Sequence, residues 1–143
     1  MTDAKFEKVS RTDQSLYGPR KLLLCGFSQS VQPNFNKLLE LVGLSEIPKV
    51  WVNEDQADTR VGELVKLQAN TGFGISSELP RAIVMAGITQ NEMHGLMTGC
   101  RNAKMKPTLW ATLTPTSEAW TIRSLLDELA AEHAAMQKRN PKD

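Results

Sequence analysis

The sequence lacks the marks that would assign it a chemistry. Its two cysteines, Cys25 and Cys100, lie far apart, with no C-x-x-C and no His or Cys at zinc-ligand spacing. Both are therefore expected as buried reduced thiols, and no metal or other cofactor is expected. There is no G-x-G-x-x-G and no P-loop, so no nucleotide fingerprint. No Ser-x-Gly elbow or Cys/His pairing marks a nucleophile. An excess of charge of one sign is also missing. Seventeen basic against 16 acidic residues leave a net charge of +1, spread evenly along the chain. Nothing pulls on nucleic acid or an anionic membrane, and neither is expected as a partner. No apolar run approaches the roughly 20 residues of a membrane span. The polar start Met1-Thr2-Asp3-Ala4-Lys5 lacks a secretory core, which leaves the cytoplasm as the expected compartment.

What is present is the pattern of one α/β domain. The chain of 143 residues is long enough to bury a core without staples. Residues 1–18 have weak periodicity and read as a flexible arm. Lys21 to Gly26 and Ala82 to Gly87 are short apolar runs bounded by Pro and Gly, as in strands buried on both faces. Lys49-Val50-Trp51-Val52 and Thr108 to Thr112 are two further strands. Phe35, Leu38, Leu39 and Val42 form an apolar stripe on a first helix that ends at Gly43. Val61, Leu64 and Val65 mark a second helix. Thr89-Gln90-Asn91-Glu92 fits a capping box before a third, with Met93, Leu96, Met97 and Cys100 on one face. The longest helix, from about Ser117 or Thr121 to Gln137, turns Ile122, Leu125, Leu126 and Leu129 inward.

The two halves echo each other. Pro19-Arg20 matches Pro80-Arg81, Gly26 matches Gly87, and Gln29 matches Gln90, all 61 positions on. A two-residue shortening would then align Pro48 with Pro107 and Trp51 with Trp110. The expectation is a single domain over residues 19–139, built from a β-α-β-α repeat at 19–69 and another at 80–138, joined by a connector at 70–79. A mostly parallel four-stranded sheet in the order 2-1-3-4 follows, with helices on its faces. A pseudo-dyad between halves would instead make the central pair antiparallel.

Few residues offer themselves for function. Ser28, Gln29, Thr89 and Gln90 sit where a strand's carboxyl end meets a helix N-terminus. There they could hold a small anion, or simply cap helices. Gly95 and Gly99 form a G-x-x-x-G groove, for internal packing or for a partner. Trp120 is either a staple onto the last helix or an interface anchor, with Thr114 and Thr116 beside it. Glu54, Asp55 and Asp58 cluster in one loop, but Thr114, Thr116 and Ser117 stand at their counterparts, so a solvated loop is expected rather than a Mg²⁺ site. His94 and His133 read as surface residues. Arg101, Lys104 and Lys106 form a small basic patch at a helix end.

Several of these strings resemble a known family. They are the turn at Leu22–Ser28, the helix start Arg60-Val61-Gly62-Glu63-Leu64, the lead-in Leu79-Pro80-Arg81, and the stretch from Leu109 to Leu129. The last holds Thr114-Pro115-Thr116-Ser117, Trp120-Thr121 and Leu125-Leu126-Asp127-Glu128-Leu129, followed by Glu132-His133. Together they are similar to the bacterial domain-of-unknown-function family numbered 3783, across roughly residues 21–135. Ser117 departs from that family's usual Asn, and either residue caps a helix. The resemblance implies an α/β fold in a bacterial cytoplasmic protein and no particular activity. The sequence points to a non-catalytic binding or regulatory module that contacts an unknown protein or a small molecule, with a homodimer open. The rival is a sensor or enzyme for a small anion, using the turns at Ser28 and Thr89.

Overall fold

The structure, a computed structural model, describes residues 14–139, with side chains through residue 136. Four strands and four helices alternate along it. They are β1 (Lys21–Cys25), α1 (Gln32–Leu41), β2 (Lys49–Val52), α2 (Val61–Leu64), β3 (Ala82–Ala86), α3 (Gln90–Asn102), β4 (Leu109–Thr112) and α4 (Ile122–Arg139). Single 3-10 turns at Glu54–Gln56 and Ser117–Ala119 precede α2 and α4. Local chemistry accounts for most boundaries. Pro33 occupies the first turn of α1, where a missing N–H costs nothing. Thr89 and Glu92 form the expected capping box at α3. Neither Ser28 nor Ser30 caps α1; Val31 holds that position without a side-chain bond.

The sheet has the expected order β2-β1-β3-β4 but is mixed rather than mostly parallel. β1 pairs with β2 and β3 with β4 in parallel, while the central β1–β3 pair is antiparallel, with Lys21 opposite Ala86 and Cys25 opposite Ala82. The physical reason lies in the strands themselves. Every residue of β3 and nearly every residue of β1 is buried. A strand buried on both faces has no alternation, and so no hydrophobic cue to its direction.

Helices cover both faces. On one, Phe35, Leu38 and Leu39 of α1 and Leu96 and Cys100 of α3 pack over Leu22, Leu24, Trp51, Ile83 and Met85. On the other, Val61 and Leu64 of α2 and Ile122, Leu125 and Leu126 of α4 pack over Leu23, Cys25, Val50, Val52, Ala82, Val84 and Ala86. Phe27, Phe35 and Trp51 meet edge to face, with centroids 5.0 to 6.2 Å apart.

The two sheet edges differ. Outside β2, the connector runs alongside as a backbone cover: Trp51 N–H donates to Thr71 O at 2.8 Å, and Asn70 N–H donates to Lys49 O at 2.6 Å. Gly72, at φ +83°, lies so close that a Cβ there would overlap Trp51 O. Gln32, 1% exposed, holds the connector down by donating to Ile75 O and accepting from Gly74 N–H. Outside β4 no such cover exists among the described residues. Leu109 and Leu113 direct their N–H groups inward to Arg81 O and Met85 O. By the two-residue period of a strand, Trp110 and Thr112 direct theirs outward.

Of the expected arm, residues 1–13 lie outside the described residues. The rest runs antiparallel past the end of β3, where Leu16 N–H donates to Ile88 O at 2.7 Å and Gly87 N–H donates to Tyr17 O at 3.0 Å.

Candidate functional site

The antiparallel centre separates the two strand-to-helix turns. Gly26 and the Ser28-Gln29 turn lie at the end of the sheet where Arg81 enters β3. Gly87 and the Thr89-Gln90 turn lie at the opposite end, against Gly18 to Arg20. The two turns are a strand's length apart, so one small anion cannot touch Ser28 and Thr89 together.

Each turn already has internal partners. Ser28 O accepts from Val31 and Gln32 N–H, its hydroxyl lies 3.3 Å from that of Ser30, and Gln29 N–H donates to Ser76 Oγ at 2.7 Å. Thr89 Oγ accepts from Glu92 N–H at 3.1 Å, and Thr89 N–H donates to Glu92 Oε1 at 2.9 Å. Arg20 then grips both oxygens of Glu92 at 2.6 Å and reaches Glu46 at 2.7 Å. The Arg20 hydrogen bonds hold the Glu92 carboxyl below the usual carboxylate range. Gln90 is exposed at the start of α3.

The interface candidates also divide. Gly99 is buried against α1, where a Cβ would meet Val42 Cγ1 at 2.7 Å, while a Cβ on Gly95 would meet open space. The Thr114–Trp120 segment docks within the molecule. Thr114 and Ser117 cap each other with bonds of 3.0 Å, Trp120 O accepts from Val61 N–H, and Trp120 packs half-buried against the α2/α4 core. Gly62 lets the Glu118 carbonyl approach within 3.0 Å of where its Cβ would stand. Thr116 remains exposed. This segment therefore joins the two halves. Arg123 and Asp58 add an exposed ion pair at 3.1 Å across the same seam.

Concave surfaces occur on both faces. One of about 460 Å³ lies beside Trp120, between Arg60, Thr121, Ser124 and Glu128. The α1/α3 face carries others, one of about 180 Å³ between Cys100, Lys106 and Trp110. A groove of about 460 Å³ runs between α3 and β4, over Met85, Met93, Met97 and Trp110, with Arg101 and His94 on its rim. A second cleft of about 290 Å³ lies between α1 and the loop after α3, lined by Val31, Asn34, Phe35, Leu38, Arg81, Ala103, Met105 and Lys106. At its base the Arg81 guanidinium lies 4.2 Å over the Phe27 ring, and its Nε donates to Gly26 O at 3.1 Å. In the sequence Arg81 stood out only as a repeat match and as part of the family-like Leu79-Pro80-Arg81 lead-in. The signal was there, because a basic residue directly preceding a fully apolar strand stays beside the core. Met93 and Met97 were legible as one helix face, but the shortage of cover over them was not.

Burial makes both thiols inert. Desolvation pushes Cys25 up to about 12 and Cys100 up to about 11, the latter slightly opposed by the nearby Arg81 charge. Among the described residues no group of three His, Cys, Asp or Glu side chains could hold a metal ion, and no helix is long and apolar enough to cross a membrane.

Over 95 aligned residues the chain is 22% identical to the large ribosomal subunit protein uL6 of Staphylococcus saprophyticus subsp. saprophyticus, an alignment covering 66% of this chain and 53% of that protein. The chain thus spans about half the length of the curated relative it matches. No solved structure matches it. The model of the family described as Domain of unknown function (DUF3783) matches residues 81–136, from the lead-in to β3 through most of α4. Over those residues the chain is therefore similar to DUF3783, a domain of unknown function.

Proposed function

We propose that this protein is a non-catalytic binding module that receives an extended segment of another polypeptide along β4. The observation that carries this reading is the contrast between edges. β2 is closed by the connector, whereas Trp110 and Thr112 point N–H groups outward with no cover among the described residues. An exposed edge is a template for one more strand, with main-chain bonds supplying affinity and adjacent pockets selecting side chains. The methionine-lined groove beside Trp110 is such a pocket, and methionine adapts its shape to different apolar partners. Gly95 and Trp120 lie away from this edge and serve as framework in this reading.

The test is peptide display against the folded protein, with Thr112→Pro as the control. Proline at that position removes an outward N–H and leaves the inward ladder to β3 intact. Enriched peptides should alternate apolar residues and should lose binding to Thr112→Pro. Self-association in ultracentrifugation that Thr112→Pro abolishes would identify a second copy of the chain as the occupant. Failure to enrich any peptide, from a protein that also stays monomeric, would end the proposal.

The halves are proposed to be diverged copies of one unit. In support, Leu24 faces Trp51 and Met85 faces Thr112, two pairs 61 positions apart, and Gly26 and Gly87 both take positive φ. On this register the counterpart of Trp51 is Thr112, so the two-residue shortening is not needed, and Trp110 stands two places earlier on the same sheet face. The match to a ribosomal protein does not extend the proposal to nucleic acid. A net charge of +1 supplies no overall field that would draw the chain to a phosphate backbone.

A further inference from the structure

The Arg81 cleft shares no lining residue with the groove beside β4, although a smaller cleft at Met105 and Lys106 leads towards Trp110, and it invites a different ligand. A guanidinium beside the core is costly to leave without a counter-charge. Arg81 is half-buried, yet among the described residues no carboxylate comes within ion-pair distance of it. Its Nε is committed to Gly26 O and its plane to Phe27, which fixes the group in one orientation. The two terminal amino groups find no acceptor among the described residues. They form the end of the fork that binds a carboxylate through two parallel bonds.

Everything around that fork favours one kind of molecule. Lys106 adds a second cation on the rim, and the lining contains no carboxylate. Phe35, Leu38 and Met105 supply an apolar wall next to the charges. We propose that this cleft binds a small amphiphilic carboxylate, its head held by Arg81 and Lys106 and its hydrocarbon tail laid against Phe35, Leu38 and Met105. A site near 290 Å³ sits at the lower end of small-molecule pockets and suits a tail of roughly six to eight carbons. Desolvation lowers the Arg81 pKa, the direction expected of a cation waiting for an anion to offset its burial.

The experiment is a titration followed by methyl and amide NMR, with octanoate, acetate, octanol and inorganic phosphate as separate probes. Octanoate should bind saturably and move the signals of Leu38, Met105 and Arg81. Acetate and octanol should each bind at least about tenfold more weakly, because each lacks one half of the recognition. Arg81→Gln tests the fork directly but also removes the Gly26 bond. Two rim variants therefore carry the test without touching the core. Ala103→Trp, at an exposed lining residue, should fill the cleft and abolish binding at an unchanged melting temperature. Lys106→Glu should weaken octanoate about tenfold. The proposal is overturned if octanoate does not saturate by about 5 mM. It is equally overturned if phosphate binds as well as octanoate, if the shifts centre on Trp110, or if Ala103→Trp binds undiminished. None of these outcomes bears on the peptide edge, which Thr112→Pro tests separately.

Discussion

Glu92 is the side chain whose removal should be most informative about stability. It performs two tasks at once, closing the α3 capping box through Thr89 and accepting both arms of Arg20. Glu92→Gln keeps the reach back to Thr89 N–H and loses the charge. Glu92→Ala loses both. A capping interaction is worth about 1 kcal/mol. The ion pair has good two-toothed geometry, but the Arg20 side chain is 36% exposed, so solvent screening limits it to about 1 kcal/mol. The expected losses at pH 7 are thus about 1 kcal/mol for Gln and about 2 kcal/mol for Ala. For a chain of this size, 2 kcal/mol lowers the melting temperature by about 6 °C.

The pH dependence separates the two contributions. Because Arg20 depresses the folded-state pKa of Glu92, the ionic part is present above the carboxylate's unfolded value and is lost as pH falls through the folded one. The difference between wild type and Glu92→Gln should therefore shrink towards zero in acid, measured as chemical denaturation of both proteins at pH 7 and near pH 3. Comparing the two proteins cancels the protonation of every other carboxylate. An undiminished gap in acid, or no gap at neutral pH, would refute the assignment of Glu92 as an ionic clamp on Arg20.

Other perturbations have equally definite signs. Gly95→Ala should stabilise the protein by about 1 kcal/mol, since helix propensity rises and the new methyl meets nothing. Gly99→Ala should destabilise it through Val42 and be relieved by Val42→Ala, a coupling that a double-mutant cycle reads directly. Gly26→Ala, at φ +79° with backbone of Leu79 and Arg81 in the way, should cost about 2 kcal/mol or more, seen as a lowered denaturation midpoint. Cys25 and Cys100 should resist iodoacetamide at pH 8 in the native state and react fully in denaturant, by mass spectrometry. Rapid native labelling of Cys25 would contradict its burial.

The sequence alone determined the elements, because these rest on local rules. Apolar runs bounded by Pro and Gly became β1 and β3, the Thr89–Glu92 box opened α3, and the stripes of Phe35–Leu39 and Ile122–Leu126 turned inward as expected. The strand order also came out as expected. Direction did not. KLLLC and AIVMA look alike read from either face, so only the packed sheet decided that β1 and β3 run opposite ways. That single choice moved Ser28 and Thr89 to opposite ends, turned the Thr114–Trp120 string into a seam, and placed Arg81 beside Phe27 with no carboxylate partner among the described residues. Local periodicity records which side chains leave water. It holds no information about which of two edges the connector covers, because that depends on contacts between residues far apart in the chain.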